Sequence, residues 1–394
     1  VSNERRLFLV AIVAGTLLRI LQTATSLGSL DAMLWYRFAE LLDRVGVLGA
    51  YEETKLMNHP PLVLAIARVT NRIGVALGLE FQDSFRLLQI AADVVTAFVL
   101  VRIVQRMQVA PYAPLLFFLS PAVLFISAFH CNSDPLMMMF LVLAAAAALE
   151  ERPVIAGLAL ACAVGIKIVP LLVGPLFLIA LRGKRARLQF LGACVAGAAV
   201  IFGPALVVSG STFVQQVFGY TGFVRAWGIP LLARVLQTTM GVQVPLGWLP
   251  FALVAALAGL WWFSRHAGTE RLPALIATSY LIVLFLAPGF GVQYLYWPLP
   301  FLAFALPRAA AIAFHAVASV YVFALYTVWS GGWPWWYGDS AGSAQTQELL
   351  AKGGLVVWVV VGVAAVVALY VARGTPPHPA VGHPLPARRG ERGY

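Results

Sequence analysis

The chain has 394 residues, 61% of them hydrophobic and 11% charged, with a formal net charge of +11 at pH 7. Apolar runs of roughly 18 to 20 residues recur from end to end, which excludes a soluble enzyme and reads as an integral helical membrane protein. Arg and Lys gather at the ends of these runs and in the carboxyl-terminal tail, so the positive charge reports membrane topology and not a nucleic-acid partner.

Cytoplasmic loops collect Arg and Lys, and this sets the topology. Glu4, Arg5 and Arg6 precede a first span over Leu7 to Thr25, which places the amino terminus inside and the segment around Asp31 outside. That first run lacks a cleavage site and doubles as a span, so no cleavable signal peptide is expected. Arg102 and Arg106 close the span starting at Leu87, and Arg182, Lys184, Arg185 and Arg187 close the one starting at Val169. The stretch from Ser26 to Arg86 then stays outside, and Pro60 to Leu79, with Arg68 and Arg72, reads as an interfacial helix. Further spans follow at Pro111 to Ala128, Pro135 to Leu149, Val154 to Lys167, Val169 to Leu181, Leu188 to Val208 and Leu246 to Phe263. The last four are Pro273 to Pro288, Tyr294 to Leu306, Ala310 to Val328 and Gly354 to Val371, about twelve in all. The expected fold is therefore all-α and polytopic, with interfacial helices in a long first external loop. Residues 1–372 form one transmembrane catalytic domain, and 373–394 form a basic, disordered cytoplasmic tail. Cys131, Cys162 and Cys194 show no Cys-x-x-Cys spacing, so neither a disulfide framework nor a zinc site is indicated.

On this topology the polar residues fall on the outer side: Asp31, Glu52 and Glu53, His59, His130 with Asn132 and Asp134, Lys167, Tyr220 with Arg225 and Trp227, and Gln293 with Tyr294. Reactive groups gathered at one interface point to a substrate presented there. The element Asn58-His59-Pro60-Pro61-Leu62, the His130-x-Asn132-x-Asp134 element, Lys167-x-x-Pro170, and Gln293-Tyr294 ahead of Trp297-Pro298-Leu299-Pro300 follow an acid and an amphipathic helix in the first external loop. In that order they resemble the GT-C superfamily of integral membrane glycosyltransferases, and most closely its actinobacterial polyprenyl-phosphate-mannose-dependent mannosyltransferases. The resemblance implies a polyprenyl-phosphate sugar as donor, a glycolipid or glycan acceptor, no other cofactor, and a multi-pass enzyme of a bacterial plasma membrane working on its extracytoplasmic face.

Such a transfer requires an acceptor hydroxyl to be deprotonated as it attacks the anomeric carbon, and Asp31 is the expected general base. The lesser reading of Asp31 is a cap for the amphipathic helix that follows, and the two roles are compatible. A departing lipid phosphate needs cations or donors, for which Lys167 and Arg225 are the candidates. Snorkelling to headgroups is the alternative for each. His130, Asn132, Gln293 and Tyr294 are expected at the donor phosphate or sugar, and His59, Trp35 and Trp227 at the acceptor. Asp134 either binds sugar hydroxyls or caps the helix from Pro135, and Tyr294 also suits an aromatic belt. Asp93, costly inside a span, is expected to pair with Arg86 or Arg68. No Asp-x-Asp pair accompanies Asp31, so a metal-independent mechanism is favoured, with Asp134 or Glu52 as the alternative second carboxylate; a single in-line displacement would invert the anomeric centre. A transporter or lipid flippase is the rival reading, and the chain lacks the internal repeats common in such proteins.

Overall fold

A computed structural model describes residues 3–220, 223–224, 227–339 and 344–374. Among these the chain is helical apart from two pairs of two-residue strands: β1 (Gly28–Ser29) runs parallel to β4 (Tyr337–Gly338), and β2 (Phe223–Val224) antiparallel to β3 (Gly289–Phe290). Helix α1 spans Asn3–Ala24, α2 Leu30–Glu53, α3 Pro61–Ala76 and α4 Phe81–Met107. Then come α5 (Ala113–Phe118), α6 (Pro121–Phe125), α7 (Asp134–Leu149), α8 (Pro153–Ile166), α9 (Gly174–Ala180) and α10 (Lys184–Phe218). The remainder are α11 (Gly228–Met240), α12 (Leu249–Phe263), α13 (Leu272–Leu286), α14 (Leu302–Ala305), α15 (Arg308–Trp329) and α16 (Ala344–Gly374).

Among the described residues six helical segments are long and apolar enough to cross a bilayer: Arg5–Ala24, Phe81–Met107, Lys184–Phe218, Thr269–Leu286, Arg308–Trp329 and Ala344–Ala372. Five shorter apolar helices accompany them, and the protein is a multi-pass membrane protein. Twelve continuous spans are not found among the described residues, and three of the expected ones take a different form: Val169 to Leu181 is a 3₁₀ turn over Val169–Val173 followed by the seven-residue α9. Pro111 to Ala128 is divided into α5, α6 and a single π-helical turn over Ile126–His130, because Pro121 cannot donate into a continuing ladder. Tyr294 to Leu306 is no continuous helix: a 3₁₀ turn over Val292–Tyr296 passes through Pro298 and Pro300 to the four-residue α14. Backbone of this kind is tolerated at membrane depth only where protein covers it, and Tyr296, Trp297, Leu299 and Phe301 are all buried.

The segment after α1, expected to be external, is built as two helices. Ser29 caps α2: its hydroxyl accepts from the Asp31 amide at 3.2 Å. Asp31 is thus not the cap, and its carboxylate is left for other contacts. Gly46, at φ 75°, breaks α2 partway along. Asp43 ties α2 to α3, accepting from Asn71 at 2.7 Å, Arg72 at 3.1 Å and Arg68 at 3.3 Å. Away from these contacts α3 exposes Val69 and Ile73, one turn apart on the same face.

Arg68 is therefore engaged, and Arg86 binds Asp83 at 2.8 Å. Contrary to expectation, the partner of Asp93 is Arg19: Nε lies 3.1 Å from Oδ2, with both side chains at 0% exposure. Arg19 also donates to the carbonyls of Gly15 and Phe118, so its guanidinium is bound on several sides.

Small residues bring α8 and α10 into close contact, as is usual between helices in lipid. A Cβ placed on Gly157 would lie 2.4 Å from the Phe190 carbonyl oxygen and 2.9 Å from the Ala193 Cβ, and one on Gly197 would lie 2.7 Å from the Ala161 Cβ. Gly157→Ala should therefore lower the thermal midpoint in detergent, at an overpacking cost of about 1–3 kcal/mol. Gly192→Ala, where the added Cβ meets nothing within 4 Å, should not lower it. Equal midpoints for the two variants in a thermal-shift assay would show that the contact is not tight.

Candidate active site

The first turn of α2 meets the segment that follows α6. The π-helical turn ends at Cys131 in the left-handed conformation, φ 63°, and this reversal carries Asn132 to Asp31. Asn132 Nδ2 donates to Asp31 Oδ2 at 2.6 Å, while its Oδ1 accepts from the Ser133 amide at 2.7 Å and so fixes the amide's orientation. His130 Nε2 lies 3.2 Å from the same Asp31 oxygen. The Ser29 hydroxyl, which caps α2, donates to the His130 carbonyl at 2.6 Å. One serine thereby registers the acid against the histidine. His130 is stacked on Tyr326 of α15, with ring centroids 5.6 Å apart.

The Asp31 side chain is 31% exposed, so one side of its carboxylate opens to a ligand. Burial raises its pKa, but His130, the hydrogen bond from Asn132 and the charge of Lys167 together outweigh burial and hold it below the ordinary value of 3.8. A position in the first helical turn acts in the same direction.

The second centre is an ion pair. Lys167, at the carboxyl end of α8, donates from Nζ to both Asp134 oxygens at 2.7 and 2.8 Å, and its side chain is only 13% exposed. Asp134 begins α7, where Ser133 occupies the cap position, and it accepts in addition from Trp297 Nε1 at 2.6 Å. Neither helix capping nor snorkelling describes this pair. An ammonium has three donors, so one N–H of Lys167 is left beyond the two on Asp134. Lys167 also lies 5.5 Å from the centroid of Tyr294, whose ring stacks on Trp297 at 4.1 Å.

His59 completes the cluster from the loop between α2 and α3. Its ring packs on Trp35 at 4.4 Å, and the Tyr51 hydroxyl holds its carbonyl at 2.7 Å. Burial, with Lys167 nearby, pushes the imidazole down to about 3, so it is neutral at physiological pH although Asp31 pulls the other way.

Asp31, His130, Asn132, Lys167, Tyr294 and His59 are thus gathered in one place. Trp35 and Trp227 are buried, each 1% exposed: Trp35 packs on His59, and Trp227 stacks on Phe290 at 3.9 Å while donating to the Leu284 carbonyl. Gln293 is half-buried and folds back against Gly291, and Arg225 lies outside the described residues. The reading from sequence missed Ser29, Trp297 and Tyr326. Only Trp297 carried a signal, its place directly after Gln293 and Tyr294 in a proline-punctuated segment. Among the described residues no group of three His, Cys, Asp or Glu side chains is placed to hold a metal ion.

Among solved structures the chain is similar to ArnT from Cupriavidus metallidurans bound to undecaprenyl phosphate, with a TM-score of 0.52 at 12% identity over 92% of this chain and 77% of that one. It is also similar to the Archaeoglobus fulgidus oligosaccharyltransferase in the apo form, with a TM-score of 0.45 at 13% identity over 94% of this chain. A third is the archaeal oligosaccharyltransferase AglB from Archaeoglobus fulgidus in complex with an inhibitory peptide and a dolichol-phosphate, with a TM-score of 0.43 at 14% identity over 96% of this chain. The chain spans 57% of each archaeal protein. At these identities the likeness to ArnT concerns the fold alone, which is GT-C-like. No curated protein matches the chain. The sequence does match glycosyltransferase family 87 over residues 60–288, a segment that holds His130, Asn132, Asp134 and Lys167 and covers more than half the chain, and the protein belongs to that family.

Proposed function

We propose that this glycosyltransferase moves a hexose, mannose in the first instance, from a polyprenyl phosphate to a glycolipid or glycan acceptor. The reaction takes place on the extracytoplasmic face of a bacterial plasma membrane. The observation that carries the reading is the pairing of a part-exposed, ionised carboxylate at Asp31 with a cation at Lys167 in one cluster at the end of the bundle. The undecaprenyl phosphate bound to ArnT supports a donor of that chemistry. Residues 1–372 act as one catalytic unit; the basic tail expected over 373–394 lies, from residue 375, outside the described residues.

In this reading the acceptor hydroxyl approaches Asp31 and passes its proton to the carboxylate as the oxygen attacks the anomeric carbon. The bond from that carbon to the phosphate oxygen breaks in the same displacement, so the configuration inverts. The lipid phosphate leaves with both bonding electrons, and the free N–H of Lys167 meets its charge. Arg225 supplies a second cation. His130 and Asn132 hold the base in orientation, Gln293 and Tyr294 face the donor, and neutral His59 lies on the acceptor side. A β-linked donor would give an α-linked product.

Purified protein in nanodiscs, given a panel of polyprenyl-phosphate hexoses and glycolipid acceptors, should form glycosylated product detectable by mass spectrometry. Sugar crossing the bilayer with no new glycosidic bond would favour a flippase. Asp31→Asn should lower kcat by about 10²–10⁴-fold, the range of a lost general base, while the thermal midpoint stays within a few degrees.

The pH dependence has a definite sign. Asp31 is held below 3.8, so kcat/KM should lose activity to its protonation only below that pH. His130→Gln removes one of the influences opposing burial, so the acidic limb should move upward. An unmoved limb in the pH profile would separate His130 from the base. Treatment with EDTA should leave turnover within about twofold, since the cation here is a side chain.

A further inference from the structure

Helix α4 contributes no residue to the cluster, yet it carries a buried polar stripe at Arg86, Gln89 and Asp93, spaced to lie on one helical face. Each member grips a different segment that carries the site. Arg86 donates to the Ser26 carbonyl at 2.8 Å and the Ser26 hydroxyl at 3.0 Å, just ahead of Asp31. Gln89 Oε1 accepts from the Leu136 amide at 3.2 Å, two residues past Asp134. Asp93 accepts from Arg19 and, through Oδ1, from the Tyr296 hydroxyl.

Tyr296 and Trp297 are consecutive at the end of a 3₁₀ turn, so their side chains diverge by about a third of a turn. One is bonded to Asp93 and the next to Asp134, which in turn holds Lys167. From this geometry we infer that Asp93 and Arg19, acting through Tyr296, are positioning residues that set the Asp134–Lys167 pair for the donor phosphate. The inference rests on the function proposed above.

A purely cohesive role fits the pair poorly. Buried ion pairs repay little of their desolvation, and apolar replacements of similar volume are often as stable or more so. An ion pair inside a membrane protein is by default a functional feature. Specifying one rotamer of Tyr296, and so the register of Trp297, is a task an apolar contact does not perform.

Tyr296→Phe removes one hydroxyl and no charge. In nanodiscs it should raise the donor KM by about 5–20-fold with a smaller fall in kcat, because a loosened cation holds the phosphate less firmly both when the donor binds and as it departs. Hydrogen exchange over residues 292–297 should quicken at the same time, without substrate. Tyr280→Phe is the matched control: this tyrosine also packs on Trp297, at 5.8 Å, but its buried hydroxyl has no partner among the described residues, so neither readout should move. If Tyr296→Phe does not fold, the double substitution Arg19→Met with Asp93→Leu keeps the bulk without charge and should show the same KM rise. Wild-type KM and exchange in whichever variant folds would overturn the inference. A wild-type protein inactive with every polyprenyl-phosphate hexose would overturn the donor reading instead, and the exchange comparison would then decide the positioning role alone.

Discussion

Two carboxylates at the boundary of an apolar bundle must each be compensated, and the rest of the site follows from how this is done. Asp31 takes an amide from Asn132 and lies beside His130, while Asp134 takes both its oxygens' worth of donors from Lys167 and a further one from Trp297. Neither acid finds its partners on its own helix. The segments after α1, α6, α8 and α13 are therefore drawn together at one end of the bundle. An unpaired charge there would cost several kcal/mol, more than most local preferences of the chain.

That convergence requires backbone that is not helical. The π-helical turn at Ile126–His130, the left-handed Cys131 and the 3₁₀ turns at Val169–Val173 and Val292–Tyr296 all lie beside the site. Each breaks an apolar run whose composition alone would support a straight span. The short strand pair that holds Gly28 and Ser29 against Tyr337 and Gly338 has the same effect, since it satisfies loop backbone next to Asp31 without another helix. Gly28 adopts φ 87°, and a Cβ there would lie 3.0 Å from the Phe129 carbonyl oxygen, so the loop approaches the π-helical turn as closely as glycine allows.

These features explain what could be read from sequence and what could not. Long apolar runs such as Phe81–Met107 and Arg308–Trp329 declare themselves by length, because lipid leaves them no other structure. The meeting of Asp31 with Asn132 and His130 was legible as a set, since all are polar and share one side of the expected topology. Their pairing was not. Lys167 and Asp134 are 33 residues apart, and nothing local distinguishes a lysine that snorkels from one that grips a carboxylate. Asp93 was assigned to nearby cations for the same reason, whereas its partner lies 74 residues away on α1. The run from Tyr294 to Leu306 misled because its composition is apolar throughout. Its two prolines outweighed hydropathy, and burial under neighbouring helices made the irregular backbone affordable. Trp35 and Trp227 were read as contact surface, although a large aromatic ring with a single N–H is as well suited to fill a core once that N–H is satisfied.

The two acids differ in a way that bears on the division of labour proposed for them. Asp134 is at 0% exposure, and the donors of Lys167 and Trp297 converge on it, so a proton or a sugar hydroxyl must displace a charge-assisted bond to reach it. Asp31 has one oxygen occupied and an open flank, and its partners hold it ionised without enclosing it. Where paired titratable groups sit in unlike environments, the environments sort the roles. The enclosed acid suits holding a cation in place, and the open one suits meeting an incoming hydroxyl. Lys167 must then serve two masters, since the charge it offers a phosphate is already shared with Asp134. A neutral pair attracts a lipid phosphate less strongly than a free lysine would, and it also releases the phosphate more readily once the sugar has gone. For the proposed lipid-linked donor, whose spent carrier must be discharged at every turnover, a tempered cation is better matched to the task than a bare one.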